Sequence, residues 1–432
     1  MLVFKKILSH HFIQGSILIT GSTFLVSVLN YVFNLVIARG VSVADYGEYF
    51  SVIAYVVLIT IPSGAFASIL IRKIGSVDPE KRADYAHSLE LWLFSKLWTN
   101  MPLILVLSGL MYGFLYFKSN LEPISVLFIL SMSLLTIWQM FYLATMQAYK
   151  AFLLFGVYTV SVALLRVIAG AGVTFLFGEL PFLLLTLLGV MIAQVIAGHF
   201  LLFRAAKTQT LPIKFQKFTA FMARPSIIIP LLTTLGIVGL ANLDIILVKK
   251  FMSEGDAGLY GAFSLLSKII FFVAGPLASV GYIFFTGKEH QKSARTILLV
   301  IVGLTLAIGA SATTFYFFFS KFTISMFFDG RFLSFAQYLW LGGVYGTLYS
   351  LVMLFAQYFM AKNSLISPLA LIALIFQAAG IYFAHTNLEN VMTVNILVTF
   401  VLLLVYLTVF VIQWLAEATH TTSHANNSRP LH

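Results

Sequence analysis

Four charged residues within long apolar stretches of this chain are to be weighed for chemistry: Lys96, Arg166, Asp244 and Lys268. A charge at hydrocarbon depth is costly, so it usually faces a cavity or meets a partner. Two or three cations against one acid is a composition suited to an anion. Arg166 and Lys268 are therefore expected to make a cationic central cavity that receives an anionic headgroup. Lys96 lies nearer a span end, where its long stem can also reach the headgroup layer. Asp244 is the carboxylate placed inside a span, and so the candidate for a proton- or cation-linked switch; a structural ion pair with Lys268 is the alternative.

Other chemistries have no residues to carry them. There is no cysteine, which excludes disulfides, thiolate metal sites and thiol nucleophiles. No GxxxxGK[ST] phosphate loop and no HExxH zinc motif occurs, and nothing calls for a cofactor, a metal or nucleic acid. His199 stands alone in its span and reads as a packed or interfacial ring. His420, His424 and His432 lie in a polar tail that reads as solvated. Asn30 and Asn34, one turn apart, with Gln139, Gln194, Gln357 and Gln377, can bond sugar hydroxyls or bridge helices, as Trp138, Trp340, Tyr345 and Tyr349 can stack on sugar rings or form interfacial belts.

The elements that must position these residues follow from composition. Of 432 residues 60% are hydrophobic and 9% charged, against about 25% charged in soluble domains. Mean hydropathy is +0.98. The bilayer is the solvent for most of such a chain, and a helix needs about 20 apolar residues to cross it. Twelve stretches meet this: 15–38, 47–71, 91–117, 123–146, 153–178, 181–203, 225–248, 259–286, 296–319, 336–360, 365–386 and 391–414. The first is longer than a signal-peptide core and no small-residue cleavage site follows, so it is expected to stay as a helix. Of 26 Lys and Arg, 17 fall on the side of the N-terminus, 6 on the other and 3 within spans. That bias places both termini in the cytoplasm of a multi-pass inner-membrane protein. It accounts for most of the net charge of +11 through topology, with contact to anionic lipid headgroups as the alternative.

The chain also repeats itself. Ser42-x-x-Asp45-x-Gly47-x-Tyr49 recurs as Ser253-x-x-Asp256-x-Gly258-x-Tyr260, at an offset of 211 residues. The expected fold is all-α and integral to the membrane: twelve helices in two six-helix lobes related by a parallel repeat. The expected boundaries are 1–208, 209–417 and a polar cytoplasmic tail, 418–432, with the basic segment 204–224 as the joint. The Ser-x-x-Asp frame reads as a capping box; an extracytoplasmic metal-binding or catalytic acid pair of Asp45 and Glu48 is the functional alternative. At the repeat offset Asp244 matches Phe33 and Lys268 matches Val57, so these charges are departures from the repeat.

The segment ANLDIILVKKFMSEGDAGLYGAFSLLSKIIFFVAGPL (241–277), with its counterpart NYVFNLVIARGVSVADYGEYFSVIAYV (30–56), resembles polysaccharide (Wzx-like, O-antigen or oligosaccharide) flippases of the multidrug/oligosaccharidyl-lipid/polysaccharide exporter superfamily. The resemblance implies a two-lobed transporter that moves a lipid-linked oligosaccharide, typically on undecaprenyl diphosphate, from the cytoplasmic to the outer leaflet by alternating access. It implies membrane lipids and other polysaccharide-assembly membrane proteins as partners, with H⁺ or Na⁺ as a coupling ion. Within it, Arg166 and Lys268 would meet the diphosphate and Arg39 would stand at the outer mouth of the cavity. Relatives specialised for the cell-wall precursor have two helices beyond twelve, which are not seen here. Two rival readings remain. A cation-coupled multidrug exporter of the same superfamily would favour an acidic cavity. A membrane glycosyltransferase or polymerase would need a larger outer loop than any present; the expectation is that the chain is not an enzyme.

Overall fold

The computed structural model describes residues 11–203, 225–286 and 291–427. The joint at 204–224 lies outside them. Among the described residues the chain is helical, with fifteen α-helices: α1 (His11–Gly40), α2 (Val43–Gly75), α3 (Arg82–Thr99), α4 (Met101–Lys118), α5 (Pro123–Ala148), α6 (Phe152–Phe177), α7 (Leu180–Phe203), α8 (Pro225–Leu240), α9 (Leu243–Phe251), α10 (Glu254–Thr286), α11 (Gln291–Phe318), α12 (Ser320–Phe327), α13 (Leu339–Ala361), α14 (Leu369–Ala384) and α15 (Leu388–Asn427). By length and composition, ten helical segments suit a membrane crossing; α8 with α9 makes another, bent by 41°, and α14 is a shorter apolar helix. Each expected span thus finds its helix. The last one runs on to Asn427, so the polar tail expected from 418 is in part helical.

Two expected spans are broken, each at an asparagine. The stretch 91–117 divides at Asn100 and the stretch 225–248 near Asn242. In each case an asparagine side chain donates to the carbonyl four residues back: Asn100 Nδ2 to Lys96 O at 2.7 Å and Asn242 Nδ2 to Val238 O at 2.8 Å. Such bonds compete with the helical ladder. At the first break Pro102, which has no N–H to lose, starts the next helix. The expected outer loop 320–335 is filled by α12 and a 3₁₀ segment, Gly330–Tyr338.

Packing repeats with the sequence. In the first half α2 packs on α5, α1 on α6 and α5 on α7; in the second, α10 packs on α13, α8 on α14 and α13 on α15. Both serines cap their helices, and the return bond of each box runs from the serine hydroxyl to the acid. Ser42 Oγ donates to Asp45 Oδ2 at 2.8 Å and accepts from Asp45 N at 3.0 Å; the Ser253–Asp256 pair does the same at 2.6 and 3.1 Å. The glycines of the frame explain the rest of it. A Cβ on Gly47 would overlap the backbone of Gly258, and one on Gly258 would overlap the Val43 carbonyl. The two copies start the helices α2 and α10, which cross backbone to backbone where the halves meet.

The buried core shows how the halves sit. One cluster joins Phe33, Tyr46 and Phe50 of the first half to Tyr260, Phe263, Phe328 and Phe332 of the second. It lies at the end where α2 and α10 begin. Toward the opposite, Lys/Arg-rich end, the cores are separate: Leu70, Ile74 and Phe141 in the first half, Phe285, Tyr358 and Phe359 in the second. The halves are sealed at one end and have no common buried core at the basic end among the described residues.

Candidate functional site

The break between α8 and α9 builds a polar cluster inside the second half. Asp244 occupies the first turn of α9 and is buried. It accepts from Tyr260 Oη of α10 at 2.6 Å, from Asn395 Nδ2 of α15 at 3.0 Å and from the Ile245 backbone N–H at 2.9 Å. Every partner is a donor, which suits an ionised carboxylate. Ending α8 at Leu240 frees carbonyls, and side chains satisfy them. Leu240 O accepts from Gln377 Nε2 at 2.9 Å and Tyr345 Oη at 3.0 Å; Ile237 O accepts from Tyr349 Oη at 3.0 Å. Gln377 also donates to Asn395 Oδ1 at 2.8 Å, while its own Oε1 is buried without a hydrogen-bond partner. No group of three His, Cys, Asp or Glu suited to a metal occurs among the described residues. The oxygens here are of mixed type, from a carboxylate, amides and main chain, a set that suits a proton or a small hard cation.

Lys268 joins this cluster, though not as Asp244's ion pair. Its Nζ lies 3.4 Å from Asn242 Oδ1 at the helix break. The charge thus stays near Asp244 while its hydrogen bond goes to a neutral amide. Gln377, Tyr345 and Tyr349, read from the sequence as bridging or stacking residues, serve here as bridges.

Arg166 lies in the other half. It is near the middle of α6, with Nη1 3.3 Å from Asn30 Oδ1 of α1. One turn further along α6, Gly170 has no room for a Cβ beside the Phe33 ring, so α1 and α6 approach closely. Phe33 stands edge-on to Tyr49 at 6.3 Å between ring centroids. The recorded side-chain partner of Arg166 is neutral, as that of Lys268 is.

The other two expected cations lie elsewhere. Arg39 sits at the sealed end and donates to Met326 O across the halves. Lys96 lines a groove between α3 and α5 with Trp92, Asn100 and Trp138, surrounded by exposed Phe94, Leu134 and Ile137. Such a surface faces lipid in a membrane protein.

The sealed end is held by polar groups that the sequence reading left in loops. Arg331 Nη1 donates to Val41 O at 2.8 Å and its Nη2 to Arg39 O at 3.1 Å, capping the end of α1 from the opposite half. Asp329 holds that guanidinium at 2.7 Å, and this hydrogen bond keeps the Asp329 carboxyl below its ordinary value. Lys249, counted in sequence as a loop cation, is buried and lies 3.4 Å from Glu48 across the halves. Glu48 does not pair with Asp45; it accepts from Ser125 Oγ at 2.5 Å and Glu122 N at 2.8 Å. Burial, with the carboxylates of Glu48 and Asp45, raises the Glu122 carboxyl above its ordinary value.

Beyond Asp244 two further carboxylates are buried: Glu48, expected as half of an acid pair with Asp45, and Glu90, which was missed. Glu48 sits inside the repeat frame, which was its available signal. Glu90 lies just before an expected span and meets His199, which therefore does not stand alone. Nothing in the local sequence signals that contact.

No family model matches the chain, and no curated protein does. Solved structures do, over nearly its whole length. The lipid II flippase MurJ, in an inward closed conformation, matches with TM-score 0.66 and 16% identity, over 91% of this chain and 87% of that one. A multidrug resistance MATE family transporter of the MOP superfamily, in an inward-facing conformation, gives TM-score 0.57 and 15% identity, over 89% and 94%. A MOP superfamily transporter from Pyrococcus furiosus, described by a binding pocket of reverse polarity, gives 0.58 and 16%, over 91% and 95%. At these identities the likeness is one of fold: the chain has the fold of multi-pass membrane transporters and flippases.

Proposed function

We propose that this protein flips a lipid-linked oligosaccharide, of the undecaprenyl-diphosphate type, from the cytoplasmic to the outer leaflet by alternating access. The observation that carries this reading is the pair of intramembrane cations with neutral partners. Arg166 is held by an asparagine oxygen in one half, and Lys268 by another in the other half. Among the described residues, a guanidinium and an ammonium whose hydrogen-bond partners are amide oxygens keep donors for a diphosphate. On this reading the basic end faces the cytoplasm of the inner membrane and the sealed end faces outward. Residues 1–208 and 209–417 rock as two lobes about the crossing at Gly47 and Gly258. Arg39 would meet the headgroup at the outer mouth after its bond to Met326 opens. Lys96, in its lipid-facing groove, would meet the lipid headgroup laterally.

Asp244 is the proposed coupling residue for H⁺ or Na⁺. Its network reaches α8, α10, α14 and α15, so a change in its charge alters bonds to several helices of one lobe at once. The same carboxylate favours the second reading, a cation-coupled multidrug exporter. The test is reconstitution with a fluorescent lipid-linked oligosaccharide and a leaflet-access assay. Arg166→Ala and Lys268→Ala, at equal expression, are expected to lower the rate by about tenfold each, the equivalent of one lost charge-assisted bond of about 1.4 kcal/mol. Wild-type rates in both variants defeat the cationic-cavity reading. Drug hypersensitivity of a deletion strain, without accumulation of lipid-linked sugar, selects the exporter.

A further inference from the structure

Near the basic end of the first half, three helices converge on one carboxylate that the proposed mechanism does not use. Glu90 of α3 is 6% exposed. Its Oε1 accepts from Tyr142 Oη of α5 at 2.6 Å and lies 2.9 Å from His199 Nδ1 of α7. Its Oε2 is buried with no hydrogen-bond partner, and so is Nδ1 of His87, one turn before it on α3. The His199 side chain is 46% exposed. A half-exposed imidazole thus touches a buried carboxylate that has one unsatisfied oxygen.

The groups facing this cluster are few. On α3 itself there are His87 and, a turn and a half before Glu90, Asp84. From α5 comes Tyr142, and Tyr149 further along, whose hydroxyl bonds to Arg82 O at 3.3 Å. Arg82 is turned away toward Val77 O and Gly75 O, at 2.8 and 3.0 Å. From α6 comes Tyr158, whose hydroxyl donates to Gln194 O at 2.6 Å. From α2 the contacts are apolar, through Leu70 and Ile74, while Arg72 and Lys73 stand in its last turn. The Phe203 ring lies beside both imidazoles, 5.2 Å from His87 and 5.9 Å from His199.

We infer that Glu90, His199 and Tyr142 form a proton-binding site in the first half, separate from the Asp244 cluster. With Glu90 ionised, His199 must present Nδ1–H to it, because a carboxylate only accepts. A neutral imidazole with this carboxylate carries one net negative charge in apolar surroundings. One proton from water at the basic end, taken up through the exposed His199, makes the pair neutral; no other bond breaks. The proton belongs to the pair rather than to either residue. Held on the carboxyl, it sits on Oε2, the oxygen without a hydrogen-bond partner, while Oε1 goes on accepting from Tyr142 and His199, so the contact of α3 with α5 and α7 loses its buried charge without losing a bond. Chemistry argues for a proton over a metal ion, since no group of three His, Cys, Asp or Glu suited to a metal occurs among the described residues.

The site stands on its own geometry and rests on the flippase reading only for what the proton drives. The test has two arms on purified protein in liposomes. The first measures proton uptake with a pH indicator as the medium is acidified through the neutral range. Wild type should take up this proton at higher pH than Glu90→Gln, whose imidazole has lost the carboxylate beside it. The half-exposed His199→Asn, which removes the imidazole, should likewise displace the uptake curve and keeps the test open if Glu90→Gln does not fold. The second arm measures fluorescent lipid-linked oligosaccharide transport with and without an imposed proton gradient. The gradient should speed wild type and leave both variants unchanged. Superimposable uptake curves in wild type and variants would overturn the site. Full gradient stimulation in the variants would overturn its role in transport. If no oligosaccharide moves in any sample, the flippase reading fails while the uptake arm still decides the site.

Discussion

The two halves place different chemistry on one scaffold. At the 211-residue offset Phe33 matches Asp244, Tyr49 matches Tyr260 and Arg166 matches Gln377. In the first half Phe33 and Tyr49 are ring against ring and the polar group beside them is a guanidinium. In the second half the same positions hold a carboxylate, a phenol that donates to it and an amide that extends the network. The capping boxes and the glycine crossing are common to both. What the halves share is therefore what builds and joins helices, and what differs is what could bind. A two-fold repeat leaves each lobe free to differ in its buried polar groups, because the backbone crossing does not involve those side chains.

The comparison can be tested by substitution. The largest effect is expected where the halves are alike. Gly258→Val and Gly47→Val each force a side chain into the facing backbone, costing about 3 kcal/mol, the upper range for overpacking, and both should lower the thermal unfolding temperature in detergent. A large effect at only one of the two would break the symmetry of the crossing. The next effect should fall where the halves differ. Asp244→Leu removes the acceptor for Tyr260 and Asn395 and is expected to cost about 2 kcal/mol, against about 1 kcal/mol or less for Phe33→Leu at the matching position. Equal losses would mean that the polar network does not stabilise the second half.

The smallest effect concerns the clasp at the sealed end. Asp329 has its folded-state value depressed by Arg331, so its contribution is fully present above the ordinary carboxylate range. It is lost as pH falls through the depressed value. Both side chains are more than a third exposed, so solvent screens the pair and the change should be slight. Cross-linking between cysteines introduced at Val41 and Met326 should weaken modestly on acidification in wild type. It should be weaker at every pH in Asp329→Asn.

Much of the framework was legible because its causes are local. The twelve apolar stretches, the Ser42 and Ser253 boxes and the repeat are set by side chains within a few residues of one another. The helix breaks were harder to read. Asn100 and Asn242 mark them, but Asn34 makes the same bond to the carbonyl four residues back in the middle of α1 and leaves that helix unbroken. The Asp244–Lys268 relation was half right: both lie in one cluster, yet Lys268 bonds to Asn242. Arg39 and Lys96 share the charge of Arg166 but not its surroundings, since one lies in a clasp between halves and the other in a lipid-facing groove. Lys249 was counted as a loop cation because it follows an apolar run; it is buried because Glu48, about 200 residues away, reaches it.

The sequence by itself determined the solvent of this protein, the number of its spans and its two-fold repeat, because hydropathy, charge bias and helix capping act over short distances along the chain. Tertiary structure decided which charges are buried and what they touch. Glu90 with His199, Glu48 with Lys249 and Arg166 with Asn30 meet across 109, 201 and 136 residues. Such pairs exist only after the helices have packed, since no spacing along the chain brings their atoms together.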